Sequence, residues 1–288
     1  MKTLYALACA CLLPAVMLSQ APTLTIVTEE VMISEPALGT IQSNTGGAPH
    51  CIRVYASFPE NFELQLLFGS SITPMNLDAT GIFYQHPEGG PTTLDINTGL
   101  FGLLPELAYD SWLTIGYTDN SANTLTVIPL DQGFFNDWES GSNLAINDLL
   151  GGSVVMATPS ILFPPNTPDE NGLVLIAQLT GTGDFSGCIN TQLRRLNPDG
   201  TVYDPPGPEV AEAYEYNNVC FTHTFSPEEA CTGDFDFNGV IATSDMLLLM
   251  ADFGCMSGCD KDLTGDDTVV TSDLLVLLGV FGTECPGE

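Results

Sequence analysis

The sequence predicts a mainly β protein, with a β-sandwich or barrel body and a small α-helical module at the C-terminus. Three observations carry this expectation. Between residues 22 and 225, short runs alternate apolar and polar side chains with a period of two, as half-buried strands do. Clusters of Gly, Pro, Asn and Asp, as at 87–91 and 164–169, punctuate those runs. Residues 231–288 contain one unit written twice, with Asp234 and Asp262, Asp245 and Asp273, Phe253 and Phe281, and Gly254 and Gly282 each 28 residues apart.

Residues 1–21 read as a secretory signal. Lys2 supplies the positive end, 4–18 the apolar stretch, and Ser19, Gln20 and Ala21 the small-residue cleavage region. The apolar run falls short of the roughly 20 residues that cross a bilayer, and no later run is long enough, so the chain is not expected to span a membrane. Neither Cys9 nor Cys11 has a lipoprotein context. The expected location is secreted, extracellular or at the cell surface.

The formal charge is −31, from 36 acidic against 5 basic residues, and loss of Lys2 with the leader makes it about −32. Such a surface argues against nucleic acid and anionic membranes as partners. It suits a protein that meets cations or stays soluble in salty water. Outside the leader lie seven cysteines, Cys51, Cys188, Cys220, Cys231, Cys255, Cys259 and Cys285. In an exported chain these are disulfide candidates, and the odd count leaves one free or paired between molecules. Zinc at Cys255 and Cys259 would lack a second ligand pair.

The all-β domain spans 22–225. Strands are expected at 23–28, 51–58, 62–68, 81–84, 111–118, 124–128, 144–147, 153–158, 173–180, 187–193 and 218–225, with Pro59, Glu60 and Asn61 turning the second into the third. No segment of the body shows a helical period beyond about two turns. Many short strands with polar turns indicate a sandwich or barrel.

Chemistry is sparse here. His50, His86 and His223 share no metal-binding spacing, and nucleophile-elbow and phosphate-loop motifs are absent. An acid pair of the glycosidase kind cannot be picked from so many carboxylates. Catalytic residues therefore stay unknown, and a non-enzyme is favoured. The most enzyme-like cluster is Tyr109, Asp110, Ser111 and Trp112. Trp112 reads as a packed aromatic, while Tyr84, Tyr109, Tyr214, Tyr216 and Trp138 could line a carbohydrate groove. In character, the stretches at 53–56, 81–85 and 109–116 resemble β-rich modules of secreted proteins from marine bacteria, a resemblance that implies no activity. Residues 226–230 read as a linker.

The duplicated unit at 231–288 has the spacing of a calcium loop, which gathers side-chain oxygens from positions 1, 3, 5 and 12 and a carbonyl from position 7. In the first copy these are Asp234, Asp236, Asn238, Asp245 and the carbonyl of Val240, with Gly239 at the sharp turn. Ile241 at position 8 points inward to pair with its counterpart, and Ala242 at position 9 leaves room for water. In the second copy they are Asp262, Thr264, Asp266, Asp273 and the carbonyl of Thr268, with Val269 at position 8. There Asp267 replaces the glycine, at some cost in the left-handed region. Thr264 offers a neutral oxygen where the first copy has a carboxylate. Two Ca2+ sites are expected, the first tighter.

The loops, each followed by a Leu-rich helix with none entering it, resemble the dockerin domain, a duplicated module that anchors secreted enzymes to cohesin-bearing scaffolds. The resemblance covers the last 58 residues, about a fifth of the chain. It implies an EF-hand-like, calcium-binding fold and a cohesin-like or other cell-surface partner. It also implies that positions 10 and 11 choose that partner. These are Thr243 and Ser244, then Thr271 and Ser272, identical in both copies, which would permit binding in two orientations. Where many members of that family carry Lys or Arg, this chain has Met250 and Ala251, then Leu278 and Gly279, an apolar face. The four tail cysteines allow three connectivities and all stay open; the favoured one is Cys255–Cys259 with Cys231–Cys285, and the named alternative is Cys231–Cys255 with Cys259–Cys285. For the whole chain the expectation is a non-catalytic attachment or scaffold protein. The alternative is a polysaccharide-binding module or a glycoside hydrolase or lyase carried by its tail.

Overall fold

The computed structural model describes residues 21–121, 124–129, 133–156, 166–201, 203, 213–225, 233–236, 238–283 and 285. The leader up to Gln20, the linker and Cys231 lie outside the described residues.

The body is built from antiparallel strands in two sheets. Strand β1 (Thr25–Glu30) is followed by helix α1 (Glu35–Thr45), then β2 (Pro49–Ser57), β3 (Phe62–Gly69), β4 (Met75–Ala79) and β5 (Trp112–Leu113). Next come β6 (Leu125–Ile128), β7 (Leu144–Ile146), β8 (Gly152–Met156), β9 (Leu173–Thr182), β10 (Phe185–Arg195) and β11 (Ala213–His223). The smaller sheet has the order β1-β2-β9-β5. The larger runs β6-β8-β3-β10-β4-β7, with β11 paired to β10.

Alternation decides what each strand buries. On β2, Ile52, Val54 and Ala56 turn inward; on β10, Phe185, Ile189 and Leu193 do the same from the other sheet. Their side chains meet in one core, so the sandwich half of the expectation fits. Phe83, Phe135, Trp138 and Phe185 supply its aromatic mass. The Phe83 ring stacks on Phe185 at 5.6 Å and meets Trp138 edge-on at 6.1 Å.

Several expectations need correction. Helix α1 runs for three turns in a body expected to have no such helix. Its buried stripe is only Ala37, Ile41 and Thr45, spaced four apart, and Gly39 and Asn44 are poor helix formers. Tertiary packing against Tyr84, Ile33 and Tyr109 rescues it, and Gly46 closes it with φ of 70°. Strand β4 was not anticipated, because Asn76 and Asp78 disfavour strands; yet Met75, Leu77 and Ala79 face the core. The expected strand at 81–84 reduces to one bridge, Phe83 to Gly181, and that at 111–118 to Trp112–Leu113.

The cysteine count resolves inside the body. Cys188 and Cys220 are register partners on β10 and β11 and form a disulfide. Cys51 is free and buried, and burial pushes its thiol up to about 12, so it is inert at neutral pH. In the tail Cys255 is bonded to Cys259, which excludes the Cys231–Cys255 arrangement; Cys285 is also disulfide-bonded. Among the described residues, no helix is long and apolar enough to cross a membrane.

Candidate metal centre

Residues after 232 contribute two helices, α2 (Thr243–Ala251) and α3 (Thr271–Val280). Each opens on an aspartate that caps it from within. Asp245 Oδ2 accepts from the Ala242 N–H at 2.8 Å, and Asp273 Oδ2 from the Val270 N–H at 2.8 Å. Neither Ala242 nor Val270 can cap through its own side chain, so the aspartate three residues on takes the orphan donor. Ile241, Leu249, Val269 and Leu277 are buried together beneath the two helices.

The first loop wraps around two buried carboxylates. Asp245 Oδ1 accepts from the N–H groups of Phe235 at 2.7 Å and Asp236 at 3.1 Å. Asp234 Oδ1 accepts from Asn238 N–H at 3.2 Å, and its Oδ2 from Gly239 N–H at 2.9 Å. Gly239 makes the turn with φ of 81°, a conformation costly for other side chains. Asn238 Oδ1 accepts from Val240 N–H at 2.9 Å. One carboxylate oxygen each from Asp234, Asp236 and Asp245 lie within 4.8 Å of one another. Burial raises the Asp234 carboxyl, and the neighbouring charges of Asp245 and Asp236 raise it further. Among the described residues no ion pair reaches these acids. This is a set of hard oxygen donors with uncompensated charge, and it fits a metal ion.

The second loop is more exposed, with Asp262 half-buried where Asp234 is buried. Asp273 Oδ1 accepts from Leu263 N–H, Thr264 N–H and Thr264 Oγ1, each at 3.0 Å. Asp262 Oδ2 accepts from Asp267 N–H at 2.7 Å, and Asp266 Oδ1 from Thr268 Oγ1 at 2.6 Å. Asp267 takes φ of 63° at the glycine's place. These backbone and hydroxyl bonds, led by Val270 N–H, hold the Asp273 carboxyl well below the usual range. Among the described residues only the first loop brings three carboxylates within 4.8 Å.

Ile241 points inward beside its counterpart Val269, as expected. Both side chains are buried in one cluster. The backbone of each, however, pairs with the segment after the other copy's helix. Ile241 exchanges bonds with Gly282 and Thr283, and Val269 with Gly254 and Cys255, at 2.7–3.1 Å. Sequence reading missed these partners, although the repeated Phe-Gly at 253–254 and 281–282 marks their position. Thr243 and Thr271 are exposed, while Ser244 and Ser272 are half-buried beside Asp245 and Asp273.

In the body, two of the five aromatics proposed for a carbohydrate groove are removed from it. Trp138 and Tyr84 are buried in the interior, as is Trp112, which packs as expected. Tyr109, Tyr214 and Tyr216 are half-buried. Tyr109 Oη accepts from Ser34 N–H at 3.0 Å, and Arg195 Nη2 donates to Tyr214 Oη at 3.0 Å. Asp110 is fully buried, and its two oxygens hold the N–H groups of His86 at 2.7 Å and Gly90 at 3.1 Å, shaping the 86–90 turn.

The chain matches no known protein family, no curated protein and no solved structure.

Burial makes a pH prediction for the body. Asp110 is raised well above the ordinary carboxylate value by burial, Asp95 is raised by burial, and Glu139 is pushed to about 7 by burial and the Asp95 charge. Glu139 and Asp95 are exposed by surface area, so solvent screening trims their share and Asp110 leads. A raised folded-state value stabilises below the unfolded value and is lost as pH rises through the folded one. The window therefore opens near the ordinary aspartate value of 3.8 and extends upward through the raised folded values, that of Glu139 being about 7. The unfolding midpoint of the chelator-treated chain should be higher at pH 5 than at pH 8, and a midpoint higher at pH 8 would refute the assignment.

Proposed function

We propose that this chain is a secreted, non-catalytic protein whose C-terminal module is dockerin-like and calcium-stabilised and attaches the β-rich body to an extracellular partner. The observation that carries this is the convergence of Asp234, Asp236 and Asp245 at the foot of α2, in a loop whose copy sits at the foot of α3. In the bound state, Asp234, Asp236, Asn238, Asp245 and the Val240 carbonyl would hold Ca2+ in the first loop. Asp262, Thr264, Asp266, Asp273 and the Thr268 carbonyl would hold it in the second. The ion neutralises clustered carboxylates and so favours the folded tail.

The helix surfaces support attachment. Leu247 and Leu275 are both 64% exposed, Met250 and Leu278 are 47% and 48%, and Phe253 and Phe281 are 43% and 42%. Members of each pair stand 28 residues apart, so the module offers one apolar face twice. Isolated exposed leucines mean little, but a repeated set in an acidic chain fits a docking surface. The partner, a cohesin-like protein or another surface protein, would be met by these side chains and by Thr243, Ser244, Thr271 and Ser272.

Calcium calorimetry on the full chain tests the reading. Two unequal sites are expected, with Asp234→Ala removing the tighter and Asp262→Ala the weaker. Absence of saturable binding would overturn the calcium assignment, and equal losses in the two variants would overturn the ranking.

A further inference from the structure

The outer face of the larger sheet departs from the polar-out rule for a solvated antiparallel face. Register sets Thr126, Val155, Leu66, Gln192 and Glu215 in one row across β6, β8, β3, β10 and β11. The row beside it carries Ile128, Ser153 and Phe68. Together with Pro129 and Leu150, parts of these rows line an open groove of about 540 Å³, inside the usual range for ligand sites.

One end of this groove is a tip of bare aliphatics on two turns. Ile72 is 89% exposed, and Leu149 and Leu150 are each 88% exposed. The turns are held, not loose. Ser70 Oγ accepts from Ile72 N–H and Thr73 N–H at 3.2 Å, and Ser71 N–H donates to Asp148 O at 2.8 Å. Gly151 N–H donates to Asp148 Oδ1 at 2.6 Å, and a side chain at Gly151 would meet Gly69 O at 2.5 Å. The buried Asn190 amide donates to Phe68 O, Thr73 O and Pro74 O at 2.9–3.1 Å. A turn backbone held in this way loses little freedom when its exposed aliphatic side chains are covered by a partner.

Charge narrows the occupant. Among the described residues, Glu215 is the charged residue lining the groove, Asp148 braces the tip, and no Lys, Arg or His lines it. A second copy would set acid against acid in chains of −31 each. An anionic lipid surface meets the same repulsion. We propose that this groove, independent of the tail, docks an extended protein segment with an apolar core and basic flanks. Its apolar side chains would lie over Phe68 and Ile128 against Leu150, and its cations beside Glu215 and Asp148.

The test is fluorescence anisotropy on the full chain, using heptapeptides with a Leu-Phe-Val core flanked by Lys, Ser or Glu. The Lys-flanked peptide should bind best, weaken with salt, and lose about tenfold in Leu150→Ser and in Ile128→Ser, while Leu103→Ser, at another exposed leucine, changes nothing. No saturable binding of any peptide overturns the proposal, as does equal binding of the Glu-flanked peptide. It is also overturned by flotation with phosphatidylcholine vesicles, or by a dimer in sedimentation, that Leu150→Ser abolishes.

Discussion

Replacing Asp245 by alanine is expected to unfold the first loop and release the start of α2. The carboxylate is fully buried and accepts from three N–H groups, those of Phe235, Asp236 and Ala242. Hydrogen bonds to a charged acceptor contribute about 1.5–3 kcal/mol each. The three donors are only half-buried, so water partly replaces the lost acceptor. The expected net loss is about 4 kcal/mol, below the full sum. Cation affinity should fall by more than the roughly 10- to 100-fold typical of changes to outer-shell groups, because a proposed ligand disappears as well. Asp245→Asn keeps one acceptor oxygen and should fall between the two. Hydrogen exchange at the α2 amides reads the effect directly, since Met246 N–H bonds to Ala242 O at 3.3 Å in the turn that Asp245 caps. Wild-type protection in the alanine variant, with calcium present, would contradict the role assigned to Asp245.

The same residue shows why part of this molecule is legible in its sequence. A loop's ligands lie within twelve positions of one another, so spacing alone places Asp234, Asp236 and Asp245 together, and the fold brings them together. Strands with one buried face are legible for a similar reason: alternation on β2 and β10 is a local record of which side meets the core. Pairing is not local. Nothing near β2 says that it will lie beside β9, more than a hundred residues on. Helix α1 is hidden because its stripe of Ala37, Ile41 and Thr45 is too weak to announce itself without Tyr84 behind it. Aromatic residues mislead most readily. Trp138 can serve a sugar or a core with equal chemistry, and only the packed sheets decide for the core.

Pairing across the two copies leads to the other large effect. Position 8 of each loop is tied to the chain that leaves the other copy's helix. Ile241 N–H donates to Thr283 O at 3.1 Å and Gly282 N–H to Ile241 O at 2.7 Å. Val269 N–H donates to Cys255 O at 3.1 Å and Gly254 N–H to Val269 O at 2.8 Å. A cation that orders the first loop fixes Ile241, and through it the end of α3, whose first turn carries Asp273 of the second loop. The second loop acts in turn on the end of α2, where the Cys255–Cys259 disulfide stiffens the joint. Couplings of this kind amount to about 1–3 kcal/mol, or 5- to 150-fold in affinity. Asp234→Ala should therefore weaken the second site at least about fivefold, although it touches none of that site's ligands. Linkage requires the converse, so Asp262→Ala must weaken the first site by the same factor. Calorimetry of the site left in each variant, set against the stepwise constants of the unaltered chain, measures both legs of the cycle. Remaining sites that keep their original affinity would show that the cross-pairing carries no energy between the loops.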